Sequence, residues 1–141
     1  MRAWQALLHA HHLVVRTLDH ELRAEHDLAL AAYDVLLRLA RAPQRALRMA
    51  DVAERVMLSP SGLTRLVDRL VAKGLVERKT DPQDARATLA CLTAEGSRVL
   101  RRAARTHLRG IREHFTGQLT DAQLDDVAAG LEKITGPHQD H

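Results

Sequence analysis

Apolar residues recur at helical spacing from the start of the chain. Trp4, Leu7, Leu8, His11, Val14, Val15, Leu18 and Leu22 share one face and predict a helix over 3–25. His9, Arg16 and His20 lie on the other side, with His12 and Arg23 on the flank between. A second helix over about 28–40 would turn Leu30, Tyr33, Leu36, Leu37 and Ala40 inward, and Ala42-Pro43 breaks it. Residues 45–48 read as a very short strand. A compact helix over 49–56 follows, with Val52, Ala53 and Val56 inward, and Met57 and Leu58 make the next turn.

The run SPSGLTRLVDRLVAKGLVERKTDPQDAR, from Ser59 to Arg86, has the densest local signals. Ser59 is an N-cap, Pro60 suits the first helical position, and Leu63, Leu66, Val67 and Leu70 form one stripe. Gly74 stops this helix, and LVERK, a turn over Thr80 to Asp84 and ATLACLT read as a β-hairpin. Thr93 caps a long helix to about Gln118, closed by Gly117. Its stripe is Leu100, Ala103, Ala104, His107, Leu108, Ile111 and Phe115, with six arginines mainly outside it. Thr120 and Gln123 form a capping box, and Leu119 with Leu124 a hydrophobic staple. A last helix over 121–134 carries Leu124, Val127, Ala128, Leu131 and Ile134 on one seam and ends at Gly136-Pro137.

Two short helices joined by a turn, followed by a hairpin, make a winged helix-turn-helix. The expected fold is mainly α with a small β-hairpin wing. The expected organisation is one domain over 1–141. Residues 28–93 form its DNA-binding part, 1–27 and 94–136 its dimerisation helices, and 137–141 a frayed tail. The dimer follows from area: a small helix-turn-helix core cannot cover the apolar stripes of both the first and last helices, and a second copy can. Two reading helices would then meet major-groove faces about ten base pairs apart.

Composition narrows the class. Trp, Tyr and Phe occur once each among 141 residues, so Leu, Val and Ala must make the core, which favours helices. The single cysteine cannot form an internal disulfide. No apolar run reaches membrane-spanning length and no signal-peptide pattern opens the chain, which reads as cytoplasmic with no membrane partner. The net charge of +3 lies entirely in residues 42–93, nine Lys/Arg against six Asp/Glu. The segment with the candidate reading helix is thus the basic one, as a nucleic-acid footprint requires.

The block LSPSGLTRLVDRLVAKGLVER (Leu58 to Arg78), the wing DPQDAR (Asp81 to Arg86) and LTAEG (Leu92 to Gly96) together resemble the MarR family of winged helix-turn-helix regulators, over nearly the full chain. The resemblance implies a dimeric transcriptional regulator, expected to be a repressor on a palindromic operator, whose dimerisation region uses the first, fifth and sixth helices. It also implies a small effector, aromatic or phenolic and anionic, bound between that region and the reading heads. Carried over by position, Ser59, Ser61, Gly62, Thr64, Arg65 and Arg69 would face the major groove or its phosphates. Arg86 would reach the minor groove, Asp84 would hold that arginine or the hairpin by an ion pair, and Arg78 and Lys79 would touch backbone. Gly62 offers no side chain where many relatives present one.

A pocket for an aromatic anion needs a cation, a hydrogen-bond donor and apolar walls. His11, His12, Arg16, Tyr33 and His107 could supply these, and His11 and His107 are polar groups within apolar stripes. Metal- and oxidant-sensing alternatives of the same fold have less behind them. His9 and His12 bring no carboxylate at helical spacing, and His107 and His114 stand about 10 Å apart along a helix, too far to share an ion. Cys91, within a returning strand, reads as a structural thiol. No metal and no cofactor are expected. No nucleophile elbow, phosphate-cradling glycine loop or His-Glu-x-x-His motif is present, Asp125 and Asp126 point about 100° apart, and no catalytic residue is assigned. A dimeric helical adaptor without specific DNA binding remains an alternative. It would have no need of Arg65, Arg69 and Arg86.

Overall fold

Three helix starts carry the caps that their sequences offer. In the computed structural model, which describes residues 1–56 and 58–136, Ser59 Oγ accepts from the Gly62 N–H at 3.1 Å and Thr93 Oγ1 from the Gly96 N–H at 2.9 Å. Thr120 and Gln123 satisfy each other at 3.2 and 3.0 Å, a complete capping box. The expected turn residue Met57 and the tail over 137–141 lie outside the described residues.

The elements run α1 (Arg2–His26), α2 (Leu30–Arg41), a 3-10 turn (Pro43–Arg45), β1 (Ala46–Arg48), α3 (Met49–Val56), α4 (Pro60–Ala72), β2 (Val76–Asp81), β3 (Asp84–Leu92), α5 (Ala94–His114), a second 3-10 turn (Thr116–Gln118) and α6 (Asp121–Thr135). The three strands form one antiparallel sheet in the order β1-β3-β2, in which the predicted short strand adds a third member to the hairpin. It starts one residue late, because Arg45 takes a left-handed φ of 55°. The β2–β3 turn is tighter than expected, with only Pro82 and Gln83 between the strands. Gly74 adopts φ 75° just beyond α4, where a side chain would be strained, and the Leu75 N–H returns to the Leu70 carbonyl at 3.0 Å.

The core sits where α2, α4 and the sheet meet. Val35, Leu36, Leu39, Val52, Val67 and Ala90 have no exposed surface, and all four members of the α4 stripe are buried. Each such Leu or Val contributes about 1.5–3 kcal/mol by leaving water.

Two helix faces differ from the sequence expectation. In α2 the buried set is Ala32, Tyr33, Val35, Leu36 and Leu39, while Leu30, Leu37 and Ala40 are only half-buried. Tyr33 and Leu36 are buried as expected, whereas Leu30 and Leu37 line an open cavity beside α1. In α5 the buried residues are Gly96, Leu100, Ala103, Thr106 and Gly110, whereas Leu108 is 56% exposed and Phe115 37%. Its contact with α1 is close and polar: Thr106 donates to Glu25 at 2.8 Å and lies 2.7 Å from His26 Nε2. Arg109 also reaches Glu25, at 2.8 Å. The Thr106 hydroxyl holds the Glu25 carboxyl below its usual range, with help from Arg109. Helix α5 stops at His114, short of Gln118, because Phe115 leaves helical geometry at φ −133°, ψ −76°.

Candidate nucleic-acid interface and ligand pocket

Helix α4 keeps its apolar stripe inward and so presents its polar face outward. Ser59, Ser61, Thr64, Arg65 and Arg69 are all exposed, and Gly62 is half-buried. Several of these groups are already engaged. The Gly62 N–H and Ser59 hydroxyl are joined in the cap, and the Thr64 hydroxyl donates to the Pro60 carbonyl at 2.9 Å. The Ser61 hydroxyl lies 3.4 Å from that of Ser59, and Arg65, in the second turn, has no side-chain partner among the described residues. Arg69, one turn further, lines a separate cavity of about 330 Å³ beside Arg23, Asp27 and Lys73, whereas Thr64 and Asp68 line the cleft beside the wing.

That cleft, of about 530 Å³, lies between α4 and the hairpin and is lined by Arg48, Thr64, Arg78 and Arg86 among others. Arg86 stands at the hairpin tip with its side chain 93% exposed. Asp84 holds the backbone more firmly than the guanidinium: it accepts the Arg86 N–H at 3.0 Å, whereas Arg86 Nε is 3.5 Å away. The expected ion pair is thus present but long, and Asp84 also holds the turn through the Arg86 N–H. Arg78 is a brace across the cleft, 2.6 Å from Asp68 and 3.4 Å from the Thr64 carbonyl. Lys79 is exposed on β2, 3.7 Å from Glu77.

Sequence reasoning missed Arg48. From the end of β1 its Nε donates to Asp81 Oδ2 at 2.7 Å, and the Gln83 N–H donates to Asp81 Oδ1 at 2.9 Å. The Gln83 N–H, opposed by burial and aided by Arg48, keeps the Asp81 carboxyl below its usual range. No sequence spacing links positions 48 and 81; only the β1–β3–β2 order brings them together.

A second cavity, of about 710 Å³, opens between α1, α2, the end of α3 and α5. All five expected ligand residues, His11, His12, Arg16, Tyr33 and His107, line it, with Val15, Leu37 and Val56 as apolar wall. Asp19 and Asp34 also face it, which the expectation of a cation, a hydrogen-bond donor and apolar walls did not include. The Tyr33 and His107 rings lie 4.6 Å apart, tilted by 43°. Burial raises the Tyr33 phenol and lowers the His107 imidazole, against the pull of Asp34, so both favour their neutral forms. His107 Nδ1 is buried without a hydrogen-bond partner among the described residues. Burial works against the charged form of Asp19, but the Leu30 N–H and Arg23 outweigh it and hold the carboxyl low. Arg16 is the permanent cation of this wall.

The chain is similar in sequence and in fold to known proteins. The MarR family model matches residues 26–87. Across 126 aligned residues the chain is 30% identical to the uncharacterised HTH-type transcriptional regulator YkoM of Bacillus subtilis, covering 87% of this chain and 79% of that protein. It is 26% identical to the multiple antibiotic resistance protein MarR of Escherichia coli, covering 87% and 86%. Among solved structures it is similar to Sco3205, a MarR family transcriptional regulator of Streptomyces coelicolor in complex with DNA. The TM-score is 0.88 at 32% identity, over 94% of this chain and 83% of that one.

Proposed function

The chain belongs to the MarR family of transcriptional regulators, and on that premise we propose that it is a homodimeric repressor that reads a palindromic operator in the cytoplasm and yields to a small aromatic anion. The observation that carries the DNA reading is the shared cleft: Thr64 of α4 and the wing's Arg86 line one opening, with the exposed Arg65 and Ser61 on the same face of α4. Small and hydroxyl-bearing residues let α4 approach the major groove, Arg65 takes a guanine edge or a phosphate, and Arg86 suits the negative potential of a narrow minor groove. Ser59, Gly62 and Thr64 shape and hold the approach, Arg69 and Lys79 meet flanking phosphates, and Arg78 sets the spacing of wing and helix. The DNA complex of the similar Sco3205 supports this reading.

The dimer rests on uncovered apolar surface. Helix α6 buries no residue of its own, and Leu131 and Ile134 are 39% and 79% exposed. Trp4, Leu8 and Leu108 add to the same demand, at 55%, 49% and 56%. A second copy of α1, α5 and α6 would cover them.

For the effector, Arg16 takes the carboxylate, His11 and His12 flank it, and the ring lies against Val15, Leu37 and the Tyr33–His107 pair, with His107 Nδ1 completed by the ligand. The test is a DNA titration at several salt concentrations, on DNA from just upstream of the chain's own gene, with and without salicylate. The wild type should bind one palindromic segment with a steep salt slope. Arg86→Ala should weaken binding about tenfold or more and lower the slope by about one. Salicylate should weaken wild-type binding and leave Arg16→Ala unmoved. Equal, weak binding to every fragment would instead favour the adaptor.

A further inference from the structure

Where α1 crosses the last turn of α5, three side chains that the DNA and effector readings do not use converge. One ligand atom each from Glu21, Glu113 and His114 lies within 4.8 Å of the other two. His114 Nε2 is 2.5 Å from Glu21 Oε1 and 3.8 Å from Glu113 Oε2.

The arrangement is partly built into the packing. A Cβ on Gly110 would stand 2.6 Å from both Glu21 Oε2 and Leu18 Cδ2. The missing side chain thus lets Glu21 lie across α5 one turn before His114. Glu21 and His114 are sheltered, their side chains 25% and 30% exposed, while Glu113 closes the group from the solvent side at 64%.

The charge is unbalanced. Neither carboxylate has a Lys or Arg ion-pair partner among the described residues; each meets only His114. Helix α5 also ends here, and its terminal carbonyls add partial negative charge to the place. A proton on His114 would offset one carboxylate; a dication would offset both. Borderline first-row dications bind imidazole nitrogen and carboxylate oxygen at about 2.0–2.2 Å, which places neighbouring ligands roughly 3–4 Å apart. The 3.8 Å contact already fits, and the 2.5 Å contact needs to open by less than about 1 Å.

We propose that Glu21, Glu113 and His114 bind one divalent first-row transition metal ion of the zinc class per chain, with water in the remaining positions. The ion fastens α1 to the end of α5. The proposal does not depend on the regulator reading, and its test involves no DNA.

The full chain, freed of metal with a chelator, is titrated with zinc chloride near neutral pH by calorimetry, and its melting temperature is followed in parallel. The expected result is one saturable site per chain with a rise in melting temperature that the chelator reverses. Glu21→Gln, which keeps a hydrogen-bonding partner for His114 and so preserves folding, should weaken binding about tenfold or more, and His114→Gln likewise. Glu113→Gln should do so to a lesser degree, and His9→Gln should leave binding unchanged. Absence of saturable binding up to millimolar zinc overturns the proposal. So does zinc binding that survives both Glu21→Gln and His114→Gln, which would assign the ion to the histidines near the N-terminus.

Discussion

In α4 every member of the apolar stripe is covered, Leu63, Leu66, Val67 and Leu70 all at 4% exposure or less, whereas in α6 Val127, Leu131 and Ile134 stand at 39%, 39% and 79%. Both stripes are legible as sequence patterns, the one in α4 more sharply segregated than the one in α6. An amphipathic period says that a face demands cover, and it is silent on whether the cover comes from the same chain. The reading head satisfies its demand internally. The outer helices do not, and this difference is the physical reason to expect a second copy.

The comparison can be broken most severely in the head. Leu36→Ala, at a site with no exposed surface, should lower stability by about 2–5 kcal/mol in chemical denaturation. Leu131→Glu should have the opposite character: the head stays folded while sedimentation shows monomer in place of dimer. A variant that remains dimeric would remove α6 from the interface. A smaller effect is expected from Ser59→Ala, which deletes the α4 cap and should cost about 1 kcal/mol in the same denaturation measurement. Smaller again is the coupling across the wing. Arg48→Ala and Asp81→Ala should weaken DNA binding non-additively, by about 0.5–1 kcal/mol of interaction, because Arg48 is half in water.

The mildest test is pH. Burial holds the His107 imidazole below its ordinary value, so the unfolded chain takes up this proton first as pH falls. The contribution is whole above an ordinary imidazole value of about 6.5 and is lost as pH drops from there through the lowered native value. His107→Phe, which keeps a ring against Tyr33, should flatten the stability profile in that window. Asp19 and Asp81, both held low, act only further down, as pH falls through the ordinary carboxylate value of 3.8 and below.

What was legible in the sequence was local. The caps at Ser59, Thr93 and Thr120 and the stripe of α4 depend on residues a turn apart, and each stands where the pattern put it. That His11, His12, Arg16, Tyr33 and His107 line one cavity was legible for a related reason: His107 interrupts an apolar stripe, and a polar group there calls for a neighbour. The face of α5 was misjudged because it meets α1 through Thr106 and Gly110, small residues that no hydrophobicity pattern marks. Arg48 was invisible because its partner is set by strand order. Asp84 was identified as a wing residue, but the balance between holding a backbone N–H and holding a guanidinium is a matter of tenths of an ångström.

The braces at Arg48–Asp81 and Arg78–Asp68 divide the labour among the cationic residues. Arg48 ties β1 to the end of β2, Arg78 ties the wing to α4, and Arg65 and Arg86 are left with almost no structural duty. On the proposed reading, such a division would let descent with modification retune which sequence is recognised by exchanging the unburdened side chains. The frame that presents them need not be reinvented each time.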